Sequence, residues 1–165
     1  MKKWILFSFL ILIVGCNQSG QLEGLVPASG TVTFNGQPID QAMIIFSPQT
    51  GENTARAASA TTDAKGNFTM MTLNPGDGVF PGDYLVTVEK TEITGEYRQE
   101  PTPDSDKSKL IDTRQIKDLL PVKYSNINTT DLSVSISEKG NKKIVLELSG
   151  EVNSKPKHPN ERFKK

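Results

Sequence analysis

The feature of this sequence that most constrains its fold is the alternation of apolar and polar side chains between residues 61 and 89. In the second half of this stretch, a proline-glycine pair precedes the alternating apolar residues Tyr84, Val86 and Val88. Alternation with a period of two residues buries one face of a strand and leaves the other in water, which is typical of an antiparallel sheet covered on one side. The pattern therefore predicts a small all-β protein with a sandwich architecture.

The same alternation occurs on the N-terminal side of this stretch. Residues 30–34 alternate, Asn35 and Gly36 provide a strong hairpin signal, and a further apolar run follows at residues 42–46. The small side chains between residues 55 and 62 are typical of an edge strand. Together these segments predict several short strands joined by tight turns.

The C-terminal part contains a second strong strand signal. Residues 132–136 and 144–148 alternate on either side of a turn at residues 139–141, which predicts a hairpin that closes the sheet. Residues 151–165 lack the apolar pattern, are basic and contain prolines, which is typical of a disordered tail. Contact of this tail with anionic lipid or a wall polymer is a further hypothesis.

Length and charge exclude other classes of protein. A chain of 165 residues suits one domain with a core of its own. It carries 19 basic and 19 acidic residues, so its formal net charge is zero. Since no overall positive field would attract a polyanion, we expect no nucleic-acid partner.

Residues 1–15 are predicted to be a signal peptide. Lys2 and Lys3 precede an apolar run at residues 4–14, which is shorter than the roughly 20 residues of a membrane-spanning helix. The run ends in three residues that lead to Cys16: Ile13, Val14 and Gly15. This ending resembles the bacterial lipobox, in which small residues precede an invariant cysteine. The resemblance implies cleavage before Cys16, diacylglyceryl transfer to its sulfur and acylation of the new amino terminus; the alternative is an ordinary signal peptide with an incidental cysteine.

These residues predict the location of the protein. Cys16 is the only cysteine, so an internal disulfide is excluded. Attachment to the membrane through acylated Cys16 would be durable, because two or more acyl chains hold a protein where one does not. Residues 16–27 are predicted to be a flexible tether. Asn17 stands where lipoproteins retained in the inner membrane have aspartate, which favours the outer membrane; a bacterium with a single membrane is the alternative. The domain would face the periplasm or the cell exterior.

A series of short motifs occurs in order between residues 30 and 88. The motifs are Gly30-x-Val32, Asn35-Gly36-x-Pro38-Ile39, Ala42, Phe46-x-Pro48, Thr62-Asp63-x-x-Gly66-x-Phe68 and Pro81-Gly82-x-Tyr84-x-Val86-x-Val88. The ordered series resembles the carboxypeptidase regulatory-like domain. The resemblance implies that residues 28–150 form a single antiparallel β-sandwich of about seven strands, with transthyretin-like or prealbumin-like topology. The later segment is similar to small bacterial lipoproteins that carry this domain and have no assigned activity. The resemblance thus implies a fold and a location, and no particular chemistry.

Residues 91–115 depart from the strand pattern. They are polar, mixed in charge and contain two prolines, which predicts a long insertion or flap with a disordered middle. Residues 116–120 are then predicted to form one helical turn. Loop aromatics and cations offer stacking faces and hydrogen-bond donors to a ligand, and the candidate contacts of this kind are Tyr97, Arg98, Lys123 and Tyr124. The alternative for Tyr124 is that it holds its loop against the core.

The sequence contains no recognisable catalytic or metal-binding constellation. The single histidine, His158, lies in the predicted tail, where we expect it to have no rigid neighbours, so neither a Ser-His-Asp system nor a histidine metal site is expected in the domain. Asp63 and Asn67 are residue types that bind calcium, but Lys65 between them has the wrong charge and the ligand spacing is incomplete. We therefore expect a structural turn there, no metal site, no cofactor and no enzymatic activity.

Three functional hypotheses follow from these observations. The first is a non-catalytic module, anchored to the membrane by lipid, that has a structural role or binds an envelope protein. The second is a carbohydrate- or cell-wall-binding module, although Trp4, the only tryptophan, would leave with the signal peptide. The third is an enzyme or transport accessory that uses carboxylates, against which the lack of a histidine and of a free cysteine in the domain counts.

We predict that replacing Cys16 by serine abolishes both acylation and membrane attachment, because the sulfur that accepts the diacylglyceryl group is lost. The measurement is incorporation of labelled fatty acid into the chain, together with its fractionation between membrane and soluble extracts. Labelling and membrane attachment that persist in Cys16→Ser would contradict the lipoprotein prediction.

Overall fold

The computed structural model describes residues 22–49, 56–101, 108–152 and 154–161, and within them the protein is all-β. The twelve strands of this part are β1 (Ala28–Phe34), β2 (Gln37–Pro38), β3 (Met43–Pro48), β4 (Ala58–Thr61), β5 (Asn67–Thr69), β6 (Gly82–Glu89), β7 (Thr91–Thr94), β8 (Tyr97–Pro101), β9 (Ser108–Asp112), β10 (Gln115–Asp118), β11 (Ser133–Ile136) and β12 (Asn141–Leu148). Two short 3₁₀ helices span Val122–Ser125 and Pro159–Glu161. None of the helices in the described residues has the length and apolar character needed to cross a membrane. The predicted signal peptide and Cys16 lie outside the described residues.

Two four-stranded sheets contribute side chains to one core. In the first sheet, β1 pairs with β12 on one side and with β2 and β5 on the other. In the second sheet, the order is β11-β6-β3-β4 and every pairing is antiparallel. Phe46 of β3 meets Phe68 of β5 edge to face, with ring centroids 6.3 Å apart. This contact joins the two sheets through the buried core.

The central strand of the second sheet follows the predicted alternation. Tyr84, Val86 and Val88 are completely buried, and they alternate with side chains that face outward. The hydroxyl of Tyr84 donates a hydrogen bond of 2.7 Å to the carbonyl of Phe80, which provides the partner that a buried phenol requires. Burial raises the pKa of this hydroxyl.

Two further predictions about the strands are confirmed. Asn35 and Gly36 form the turn between β1 and β2, with positive φ angles of 50° and 79°. Glycine and asparagine are the residues that tolerate this conformation in tight hairpins. The small side chains of β4 lie at the edge of the second sheet, where β3 pairs along the strand and Ser59 forms a single bridge to Met71.

The predicted C-terminal hairpin is wrong. β11 pairs with β6 in the second sheet, whereas β12 runs parallel to β1 in the first. The turn between them carries the chain from one sheet to the other, and Ile136 and Ile144 are buried in the same core from opposite sides. Alternation reports only that one face of each strand is buried, so it cannot distinguish this crossing from a hairpin. The parallel pairing also corrects the prediction of a purely antiparallel domain.

The insertion at residues 91–115 contains three strands. β8 and β9 form a two-stranded sheet, and β7 pairs with β10, which begins at the last residue of the insertion. Disorder was predicted for the middle of the insertion, and residues 102–107 there lie outside the described residues. The helical turn predicted at residues 116–120 is wrong, because Ile116 pairs in β10 with Ile93; the turn forms later, at Val122–Ser125.

The prediction of a disordered tail does not hold for residues 154–161. The amide of Lys157 donates to the carbonyl of Ile116 at 3.0 Å, and the amide of Ile116 donates back at 2.8 Å. The tail contains few apolar residues, but its backbone finds hydrogen-bond partners on the free side of β10. Composition reports apolar content and cannot report such a backbone partner.

We predict that Val86→Asp unfolds the domain. Burying a carboxylate without a partner costs several kcal/mol, whereas a domain of this kind has a total stability of about 5–15 kcal/mol. The matched control is Val145→Asp, because Val145 lies in a strand with its side chain exposed. Thermal melts followed by circular dichroism should show loss of the transition for Val86→Asp and a melt close to the parent's for the control; equal melts would contradict the assigned core.

Candidate functional site

A cleft of about 620 Å³ lies on the outer face of the second sheet. Its floor consists of Ile45 and Ser47 from β3 and of Thr87 and Glu89 from β6. These residues alternate along their strands with fully buried neighbours such as Phe46, so their side chains point away from the core. The floor is therefore the solvent face of the same two strands that form the centre of the fold.

Three segments that are distant in sequence form the walls of the cleft. One wall comes from β10, a second from the 3₁₀ helix and the loop after it, and a third from the C-terminal segment. The residues of these walls are Ile116, Asp118, Val122, Ser125, Asn126, Ile127 and Lys157. Apolar side chains thus lie beside hydroxyl, amide and charged groups. Such a lining can bind a ligand that presents both apolar and polar groups.

Tyr124 holds the 3₁₀ helix in place. Its ring is buried, and its hydroxyl donates to the carbonyl of Ser149 at 3.1 Å and accepts from the amide of Ser149 at 3.0 Å. Lys123 lies over this ring, 4.4 Å from its centroid, and forms an ion pair of 2.9 Å with Asp131. The hydrogen bond with Asp131 raises the pKa of Lys123. Tyr124 is therefore placed as the structural alternative expects, and both residues support the wall without lining the cleft.

Tyr97 and Arg98 lie on β8, in the separate sheet formed with β9. Tyr97 is 53% exposed, and the guanidinium of Arg114 lies 4.2 Å from its ring centroid and donates to its hydroxyl. Arg98 forms an ion pair of 2.5 Å with Glu100. None of the four candidate contacts from the sequence appears among the residues that line the cleft.

Asp112 is the centre of a charged cluster that connects the insertion to the C-terminal segment. Arg114 donates to both of its carboxylate oxygens, from Nε at 2.9 Å and from Nη2 at 3.0 Å. The imidazole Nε2 of His158 lies 3.5 Å from Oδ2 of the same carboxylate. The hydrogen bonds from Arg114 lower the pKa of Asp112 to about 2. His158 therefore has ordered neighbours, contrary to the sequence-based expectation.

The acidic turn at Asp63 is structural. One carboxylate oxygen accepts the amides of Lys65 and Asn67 at 2.9 Å and 2.8 Å, and the other accepts the side-chain amide of Asn67 at 3.0 Å. The side-chain bond from Asn67 is the main cause of a lowered pKa at Asp63. Among the residues that the structure describes, no group of three or more His, Cys, Asp or Glu side chains is placed to hold a metal ion.

Comparison with known proteins identifies no relative. No protein-family model and no curated protein matches the chain. A solved structure of a 9R-lipoxygenase from Cyanothece PCC8801 aligns with 77% of this chain at 14% identity and a TM-score of 0.31. This chain spans only 16% of that protein's chain. A likeness at this level supports no inference about fold or activity.

We predict that Asp112→Asn loosens residues 154–161, because the carboxylate that faces His158 and binds Arg114 loses its charge. Hydrogen exchange at the amide of Lys157, which bonds to Ile116, should become faster. The control is Glu100→Gln, which removes a charge from the same insertion and breaks the pair with Arg98. Unchanged exchange at Lys157 in Asp112→Asn would contradict this prediction.

The pH dependence of the contacts that Asp112 makes with Arg114 and His158 follows from the direction in which the pKa of Asp112 is shifted. The pKa of Asp112 in the folded chain, about 2, lies below its ordinary value of 3.8. The ionised carboxylate therefore stabilises the folded state above about pH 4, and this contribution is lost as the pH falls through about 2. Protection of Lys157 in the parent should persist at pH 3.

Proposed function

We propose that this chain is an envelope lipoprotein, anchored by lipid on Cys16, whose β-domain is a non-catalytic interaction module. In this proposal, a segment of an envelope protein binds in the cleft on the outer face of the second sheet. The anchor is inferred from the lipobox-like residues before Cys16. The outer membrane is the preferred location, because Asn17 is not the aspartate of inner-membrane retention.

We also propose that the two four-stranded sheets form a sandwich related to the transthyretin-like domains. The core residues that both sheets share and the contact between Phe46 and Phe68 support this assignment. The structure departs in two ways from a plain seven-strand antiparallel sandwich. β1 pairs in parallel with β12, and two accessory sheets are formed by β7 with β10 and by β8 with β9. The accessory strands would be additions to the sandwich, of which β10 supplies one wall of the cleft.

The chemistry of the cleft is the observation that supports binding. Its volume of about 620 Å³ lies within the range of pockets that enclose a small molecule or a few side chains. Three exposed apolar side chains line this cleft: Ile45, Val122 and Ile127. Removing such apolar surface from water by covering it with an apolar partner lowers the free energy. Ser47 and Asn126 add polar groups that can bond to a peptide backbone.

The second hypothesis, a carbohydrate- or wall-binding module, is less well supported by this site. Sugar rings commonly pack against aromatic faces, and no aromatic side chain occurs among the described residues that line the cleft. Tyr97 is exposed but lies in a separate sheet, with Arg114 stacked on its ring. The apolar lining favours a protein segment with aliphatic side chains.

We predict that Ile127→Asp prevents partner binding while Val152→Asp does not. The two residues are closely matched, with exposed fractions of 38% and 36%, but only Ile127 lines the cleft. Each full-length variant would be expressed in a bacterial envelope, crosslinked and recovered through an affinity tag. Crosslinked protein species should be lost from Ile127→Asp and should persist in the parent and in Val152→Asp.

Two outcomes would contradict the proposal. Equal recovery of partners by both variants, with both melting like the parent, would exclude the cleft as the binding site. A saturable thermal stabilisation of the purified chain by glycans or wall fragments, absent in Ile127→Asp, would favour the carbohydrate hypothesis; at a hundred times the dissociation constant, binding adds about 2.7 kcal/mol to the stability.

A further inference from the structure

β12 is the outermost strand of the first sheet. It pairs with β1 on one side, and no described strand pairs with its other side. The carbonyl of Leu148 accepts from the amide of Asn35, so the backbone groups of Leu148 face β1. Successive residues of a strand direct their backbone groups to opposite sides of it. The amide and carbonyl groups of Val145 and Glu147 therefore face the open edge.

The exposed face of β12 has a charge pattern that is complementary to itself. Lys143, Val145 and Glu147 are exposed, and they alternate with the buried residues Ile144, Leu146 and Leu148. Val145 is 62% exposed although it lies at the middle of these three side chains. Read in the opposite direction, the order Lys-Val-Glu becomes Glu-Val-Lys, which places each charge opposite its counterpart.

We propose that β12 is a self-association surface, which pairs antiparallel with β12 of a second copy of this chain around a two-fold axis at Val145. In this register, Val145 of one copy lies opposite Val145 of the other. Lys143 of each copy lies opposite Glu147 of the other, and the opposite charges attract across the strands. The two first sheets then become one continuous sheet.

Charge and backbone geometry together select this register. Moving the axis by one residue in either direction places Val145 opposite Lys143 or opposite Glu147, and neither cross-strand ion pair can form. Placing the axis between two residues sets backbone groups that face the edge against groups that face β1. An axis at Val145 satisfies both conditions.

The contact is small and has a defined end. In the paired strands, the amide of each Val145 can donate a hydrogen bond to the carbonyl of the other Val145. The amide of Glu147 can donate to the carbonyl of Lys143 in the other copy. The amide of Lys143 already donates to the side chain of Asn141 at 3.0 Å, so the pairing does not extend past it. An edge of this length buries less surface than a typical stable interface, and we expect reversible association that increases with concentration.

Charged side chains on edge strands can also prevent pairing between molecules. For β12, that role and the proposed role make opposite predictions. If Lys143 and Glu147 protect the edge, the chain stays monomeric and their removal promotes association. If Lys143 and Glu147 instead determine the register by pairing across the strands, reversing the charge of one residue weakens association and reversing both charges restores it.

The test is disulfide crosslinking of the full-length chain under mild oxidation. Opposite residues of a hydrogen-bonded antiparallel pair have Cα atoms about 5.5 Å apart, which is within the range that a disulfide spans. Val145→Cys should therefore form a reducible dimer. Lys143→Cys alone should not, because the two Lys143 positions would lie roughly 14 Å apart along the strands. An equimolar mixture of Lys143→Cys and Glu147→Cys chains should crosslink, and the parent chain controls for Cys16.

The charge variants provide a second measurement that needs no cysteine. Sedimentation of the full-length chain should show a dimer fraction that falls several-fold in Lys143→Glu and recovers in Lys143→Glu/Glu147→Lys. Thermal melts verify that each variant is folded. A folded Val145→Cys that forms no dimer, or crosslinking that is equal in Val145→Cys and Lys143→Cys, would overturn the proposal, as would Lys143→Glu that associates as well as the parent.

Discussion

The pairing of β1 with β12 is the interaction on which the rest of this structure depends. It joins strands from opposite ends of the domain, and its register runs without interruption from Gly30 opposite Ile144 to Phe34 opposite Leu148. A side chain at Gly30 would place its Cβ 2.0 Å from the carbonyl oxygen of Ile144, so only glycine permits this approach. Beyond the strands, the side-chain amide of Asn35 bonds to both backbone groups of Gly150.

This pairing also positions the segments that come after β12 in the chain. The Tyr124 hydroxyl donates to the carbonyl of Ser149 and accepts from its amide, which places the 3₁₀ helix against the second sheet. Residues 154–161 then reach β10, where Lys157 bonds to Ile116. The part of the chain that follows β12 therefore supports the 3₁₀ helix and supplies Lys157 to the cleft on the outer face. The closure of the core and the walls of the cleft depend in part on the same contacts.

The sequence predicted the main strands of the two four-stranded sheets better than their partners, and it missed β7, β8, β9 and β10. Alternation located β6 and β12, because the buried side of a strand is visible in the types of its side chains. It could not tell that β11 and β12 belong to different sheets, since both orient an apolar face toward the same core. The cleft was not predicted at all. Its floor residues, such as Ser47 and Thr87, have the ordinary composition of exposed strand positions, and its walls come from segments that lie far from β3 in the sequence.

The candidate contacts illustrate the same limit. Tyr124 and Lys123 were selected as loop residues with binding chemistry, but the partners of Tyr124 are backbone groups of Ser149 and those of Lys123 include Asp131. His158 was expected to lack neighbours and lies beside Asp112. By itself the sequence determined the all-β class, the positions of the main strands and the local turns at Asn35 and Asp63, because side-chain periodicity and short-range hydrogen bonds encode them. Only the tertiary structure decided the parallel closure by β12, the cleft and the contacts of the C-terminal segment, because these depend on backbone groups that meet across long separations and carry no signature in residue type.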